Sequence, residues 1–126
     1  MADPRSVLPT HEVLNQPAPR GDLDLWSSDL ALREAATRGE ARVEALASYG
    51  VALGRADTRE AARQANRQTP ELKLFDSGGR RLDEVAFHPA YHQLMSMGIG
   101  AGYPSIAWEG GAGGHVTHAA MVYLAS

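Results

Sequence analysis

Apolar residues recur along this chain mostly at helical intervals, and once with the alternation of strands. After Asp29, the N-cap candidate with Ser28 as its alternative, Leu32, Ala35 and Ala36 fall on one helical face. Gly39 is expected to break or bend that helix. A second helix is predicted over about residues 41–53, with Val43, Leu46, Ala47 and Gly50 on one stripe and Gly54 as its C-cap. The third, "DTREAARQANRQTP", opens on Asp57 and Glu60 in a capping-box arrangement and is stopped by Pro70. "ELKLFDSGGRRLDEVAF" alternates instead: Leu72, Leu74, Asp76, then Leu82 and Val85 flank a "DSGGR" turn, which predicts a hairpin. Two strands alone are marginal, so the hairpin is expected to lie against the helices. "HPAYHQLMSMGI" starts a fourth helix. "HVTHAAMVYLAS" is a fifth, with Val116, Ala119, Ala120, Tyr123 and Leu124 on one face. The glycine-rich connection between them has room for a short helical turn near Trp108. The predicted fold class is mainly α, with about five helices and one β-hairpin.

The N-terminal stretch has no such period. Residues 1–10 read as a mobile N-terminus, and "THEVLNQPAPRGD", with two prolines, reads as an extended arm crossing a surface. The first ten residues carry no apolar run of the secretory kind, and no stretch approaches the roughly 20 apolar residues that span a bilayer. The expectation is a soluble, cytoplasmic protein without membrane contact. There is no cysteine, which excludes disulfides and thiolate metal sites.

Composition changes the picture of the core. The chain is 44% hydrophobic, but Leu, Ile, Val and Phe together number only 24 of 126 residues, and alanine supplies much of the rest. Small side chains bury little area each, at about 25 cal/mol per Å2. The thin core is expected to gain from another domain or subunit laid over one face. The last apolar stripe still runs at Ser126 with no capping signal, so the chain is expected to be part of a longer one.

Three sets of residues are candidates for chemistry. His88 and His92 are four apart, and His115 and His118 three apart. Pro89 belongs at the first helical position, which makes His88 a cap, and no carboxylate accompanies the second pair within a turn. A metal centre is therefore not expected. Arg55, Arg59, Arg63 and Arg67 lie each four residues after the last and form a stripe. They are the possible contact for an anion or nucleic acid, although a net charge of −3 argues against a dedicated nucleic-acid binder. The "GIGAG" and "GGAGG" runs do not complete a dinucleotide-binding fingerprint, because Tyr103 and Val116 occupy the third glycine positions.

Three stretches carry a resemblance: "THEVLNQPAP", "RLDEVAFHPAYHQLM" and "AWEGG" followed by "HVTHAAMVYLAS". In this order the chain resembles the N-terminal domain of AidB-type proteins, the acyl-CoA dehydrogenase-like flavoproteins of the adaptive response to alkylation damage. The resemblance runs from Thr10 onward, so residues 11–126 are expected to be one domain of the acyl-CoA dehydrogenase N-terminal helical type. It departs at "MSMGIGAGYPS", where the glycines and Pro104 are unexpected. The resemblance implies a longer parent that binds FAD, assembles as a tetramer and has DNA as a possible partner through its later domains. It places no catalytic, cofactor or metal residue on this chain, which is expected to be a non-catalytic structural and assembly module that holds no flavin by itself. Its partners would be the remaining domains of the parent or sister subunits. Val13, Leu14 and Trp26 are expected to dock the arm; Phe87 and Tyr91, with Leu94 and Met95, to pack the fourth helix; and Tyr123 and Leu124 to belong to an interface-forming last helix. The alternative function is a small nucleic-acid or acidic-partner binding module working through the arginine stripe.

Overall fold

A computed structural model describes residues 21–126; the arm residues Val13 and Leu14 lie outside them. The elements run α1 (Leu30–Arg38), α2 (Val43–Gly54), α3 (Ala56–Arg67), β1 (Glu71–Phe75), β2 (Arg81–Ala86), α4 (Pro89–Gly100) and α5 (Gly114–Ala125). The fold is mainly α with one two-stranded antiparallel sheet, as the periodicity predicts. α2 packs on α5, and α3 on α4.

Two helix starts follow directly from local chemistry. Asp29 caps α1 by accepting the Leu32 N–H at 2.9 Å. His88 caps α4, its Nδ1 accepting the Ala90 N–H at 3.1 Å, with Pro89 in the first turn. α3 starts differently from expectation. No capping box forms, because Asp57 turns to Arg55 and Glu60 to Arg63. Instead the Ala56 N–H donates to Asp22 Oδ1 at 2.9 Å, a partner 34 residues upstream.

The α1–α2 corner also departs from expectation. α1 ends at Arg38, yet the left-handed residue is Glu40, at φ 55°, not Gly39. The Ala41 N–H bonds to Ala36 O and the Glu40 N–H to Thr37 O, a Schellman arrangement that satisfies the last carbonyls of α1. Gly39 is needed for space: a Cβ there would come within 2.7 Å of Val116 on α5. α2 begins at Val43, two residues later than predicted. Gly54 is its last helical residue and no cap; a Cβ there would meet Leu23 O at 2.0 Å.

The core is small. Trp26, Leu46, Tyr49, Ile106, Met121 and Leu124 are its larger members, with Ala36 and Ala120 between them. Trp26 lies against Gly50, where a Cβ would come within 2.8 Å of the tryptophan's own. On α5 the buried residues are Thr117, Ala120, Met121 and Leu124, so the expected face is rotated. Ala119 and Tyr123 are exposed and Val116, 37% exposed, lies over Gly39, because Thr117 and Met121 are drawn in against α2. Ala35 of α1 is likewise exposed.

Two melting measurements test this packing. Leu46 is fully buried, so Leu46→Ala is expected to cost about 2–5 kcal/mol, read from thermal or urea unfolding. Glu40→Gly removes the left-handed strain of an L-residue and is expected to stabilise by up to about 1 kcal/mol. A loss of stability in that variant would contradict the corner geometry.

Candidate functional site: an apolar groove beside a projecting hairpin

The segment before α1 is tied down by short polar contacts. Asp24 Oδ1 accepts from the Trp26 and Ser27 N–H groups, and Ser27 Oγ donates to Asp24 Oδ2 at 2.6 Å. These bonds, the Ser27 hydroxyl first, hold the Asp24 carboxyl below its ordinary value. The Leu23 N–H donates to Gly54 O at 2.8 Å, and the Arg59 guanidinium donates to Gly21 O. The chain therefore enters the described structure across the α2–α3 junction.

Beside that entry lies an apolar groove of about 830 Å3. Leu25 and Leu53 form one wall, Leu94 and Ile99 of α4 another, and the end of α5 closes one side. Arg59 is the one charged residue lining it, and its Nε is buried without an acceptor among the described residues. Tyr49 lines the groove beside Gly98, and burial pushes its phenol above the usual value.

The arginine stripe does not stand as a free row. Arg55 pairs with Asp57 at 2.9 Å and Arg63 with Glu60 at 2.6 Å, and each carboxyl is lowered by that bond. Arg59 turns to the groove rim, and Arg67 is exposed in the last turn of α3.

The hairpin pairs Glu71 with Ala86, Leu72 with Val85, Lys73 with Glu84, and Phe75 with Arg81. The register shifts between Lys73 and Phe75, so Leu82 and Asp83 together face Leu74, and Asp83 takes φ 51° at this bulge. Contrary to expectation, the strands' substantial contacts among the described residues are with each other, and no described helix covers them. Leu72 is 63% exposed, Phe75 60% and Val85 50%, with Leu74 and Leu82 also open. At the hairpin's foot Phe87 stacks on Tyr91, with centroids 4.3 Å apart, and His92 meets both rings edge-on. Tyr91 and Met95 are exposed; Phe87 and Leu94 are half-buried.

Among the described residues no three His, Asp or Glu side chains converge. His118 bonds through Nδ1 to Tyr103 O and stacks on the Tyr103 ring, and His115 meets Trp108 edge-on. At the end of the glycine run before α5, two glycines are packed against protein, while Gly110 and Gly111 face open space: a Cβ on Gly113 would meet Glu40 O at 1.8 Å, and one on Gly114 would meet Ile106 O at 3.0 Å.

At the far end of α5, Leu124 enters the core and the Tyr123 hydroxyl donates to Asp29 Oδ2 at 2.9 Å. The Gly113 conformation, the Thr117 hydroxyl and the Asp22 cap were not identified from sequence. The glycine run was the only local signal for any of them.

Comparison with known proteins agrees with this architecture. Bd2924 in its apo form matches with a TM-score of 0.67 at 24% identity, over 88% of this chain and 24% of that one. Caenorhabditis elegans ACDH-11, solved in complex with C11-CoA, matches with a TM-score of 0.64 at 19% identity, over 98% of this chain and 22% of that one. At these identities the likeness shows the fold alone, a mainly α arrangement with one hairpin. The sequence goes further. Residues 15–126 match the family described as the adaptive response protein AidB N-terminal domain, and the chain belongs to that family. The acyl-CoA dehydrogenase-like AidB of Escherichia coli (strain K12) is 45% identical over 119 residues. That alignment covers 91% of this chain, which spans about a fifth of the relative's length, 22%. No helix among the described residues is long and apolar enough to cross a membrane.

The Asp29 contact gives a pH test. The Leu32 N–H, and after it the Tyr123 hydroxyl, hold the Asp29 carboxyl below its ordinary value. A carboxyl lowered by folding contributes its stability in full above the unfolded value of about 3.9 and loses it as pH falls through the lower folded one. Asp29→Asn keeps a capping oxygen but no titration. The melting temperatures of the two proteins are expected to differ at pH 7 and to converge in acid; a gap independent of pH would refute this.

Proposed function

We propose that this chain is the N-terminal packing and assembly module of an AidB-type acyl-CoA dehydrogenase-like flavoprotein, without catalytic residues of its own. The identity of 45% to the Escherichia coli relative supports the parentage. The observation that carries the packing role is the uncovered apolar hairpin. Leu72, Leu74, Phe75, Leu82 and Val85 stand open to solvent on a pair of strands that has none of the described helices behind it. A two-stranded hairpin gains stability only when something covers a face. Completing the burial of these five side chains is worth roughly 5 kcal/mol. In this reading the cover is the remainder of the parent or a sister subunit. FAD, tetrameric assembly, the alkylation response, any DNA contact and a cytoplasmic location belong to that parent.

A chimera tests the proposal. Residues 15–126 of this chain replace the matching segment of the Escherichia coli relative. The chimera is expected to be a flavin-bearing oligomer, read by visible absorbance and light scattering. Leu72→Asp with Val85→Asp is expected to cut bound flavin and oligomer several-fold. The same pair in the isolated chain should leave helical circular dichroism unchanged, because the strands do not support the helices. A doubly substituted chimera that assembles and holds flavin as well as the parental one would refute the packing role.

A further inference from the structure

We propose that the outer edge of β1 pairs with the same edge of a second copy of this chain, the two β1 strands running antiparallel about a two-fold axis at Leu72. This deepens the packing role and rests on its reading of the hairpin as an interface. It concerns the edge of the strand and leaves the apolar face for the cover proposed above.

The first observation is which edge is fit to pair. The Asp76 N–H donates to Arg80 O at 2.9 Å, toward β2. Backbone groups alternate sides along a strand, so those of Leu74 and Leu72 also face β2, while those of Phe75, Lys73 and Glu71 face the outer edge. Among the described residues no strand lies beside that edge, and every residue of β1 is exposed. The two edges of the hairpin differ. The extra residue of the bulge is in β2, where Asp83 takes φ 51°. A bulge disrupts the ladder and guards an edge against pairing. β1 stays regular.

The second is the order of charges. Glu71, Leu72 and Lys73 read acid, apolar, base. An isologous contact must be its own complement. Antiparallel pairing centred on Leu72 sets each Glu71 opposite Lys73 of the other copy, and Leu72 against Leu72. Opposite charges facing each other across strands stabilise a sheet, and like charges destabilise it. Centred one residue either way, the same strands set Glu71 on Glu71 or Lys73 on Lys73. Centred on Leu74, they set Leu72 against Asp76. One register is therefore selected. A foreign strand would have to bring the reversed order of charges, whereas a second copy always carries it.

The third is what the pairing does for the apolar side. Leu72 and Leu74 share one face of β1, and Val85 stands opposite Leu72 on that face. A two-fold axis normal to the strands joins the faces of both copies into one four-stranded sheet. Two strands are marginal by themselves, while three or more with an apolar face hold together.

The absence of cysteine makes the register readable in the 126-residue chain. Leu72→Cys puts two thiols at directly opposite positions, with Cβ atoms about 5 Å apart. Leu74→Cys, exposed on the same face, puts them about 13 Å apart along the strands. Under mild oxidation Leu72→Cys is expected to form disulfide-linked dimers at least ~tenfold faster than Leu74→Cys, because a disulfide tolerates only a short span. Glu71 faces Ala86 within the hairpin, so Glu71→Lys spares the β1–β2 pairing and sets like charges opposite each other twice between copies. Added to Leu72→Cys, it is expected to slow the linkage several-fold at low salt, and less at high salt. Equal rates for the two cysteines, or no slowing by Glu71→Lys, would overturn the proposal. So would a cysteine-free chain that stays monomeric in sedimentation as its concentration is raised. The chimera reads flavin and assembly with the parent, so the packing role and the edge pairing can fail separately.

Discussion

The structure depends on the seating of α5 in the corner between α1 and α2. That seat is made by close backbone approach more than by large side chains. Gly39 leaves room for Val116, and Gly113 lets the start of α5 meet the Glu40 carbonyl. Thr117, fully buried, accepts the Arg42 N–H at 2.9 Å and donates to Gly113 O at 2.6 Å. Arg42 then reaches across the surface to Glu109 and Gly110 O, and its bond to Glu109 is the main reason that carboxyl is lowered. The first free N–H of α2 is thus satisfied by a residue from the other end of the chain. Once α5 is held there, Met121 and Leu124 have nowhere to go but against Leu46 and Trp26.

A core assembled this way is economical in large residues, and the surplus apolar surface is left outside. The two halves of the molecule solve this differently. α1, α2 and α5 share the Trp26–Leu46–Met121 cluster. α3 and α4 pack on each other, with Ala61 and Ala90 buried, and a groove lies between them and the ends of α2 and α5. Beyond them the hairpin projects with its leucines open. For a free-standing protein, an exposed two-stranded edge of this kind invites association. In the packing role proposed above, it is the surface on which the remainder of a longer chain would rest.

The charged residues follow the same logic of local economy. Arg55 and Arg63 are answered within three residues by Asp57 and Glu60, so their regular spacing builds solvated ion pairs at the exposed face of α3. Exposed pairs of this type contribute little to stability. Arg59 differs from its neighbours only through tertiary position. It points at the entering chain and the groove, where a guanidinium is costly unless its donors are used.

Features decided within a turn of chain were legible in the sequence. Asp29 caps α1 and His88 with Pro89 opens α4 because a cap acts on the N–H groups two or three residues ahead. The "DSGGR" turn defined the hairpin, since Asp76 accepts from Gly78 and Arg80 within the same loop. The family motifs were readable too, as they are strings of residues. Which face of α5 is buried, why Gly39 and Gly54 are glycine, what caps α3 and where Arg59 points were all decided by partners between 31 and 77 positions away. The hairpin was expected to rest on helices because two strands need support. Only the tertiary structure showed that its face stays open, because the helices bury their own stripes against each other and leave none for the strands. Local hydrogen-bonding and periodicity therefore determine the elements, while the close approaches that a sequence does not display determine how they are joined.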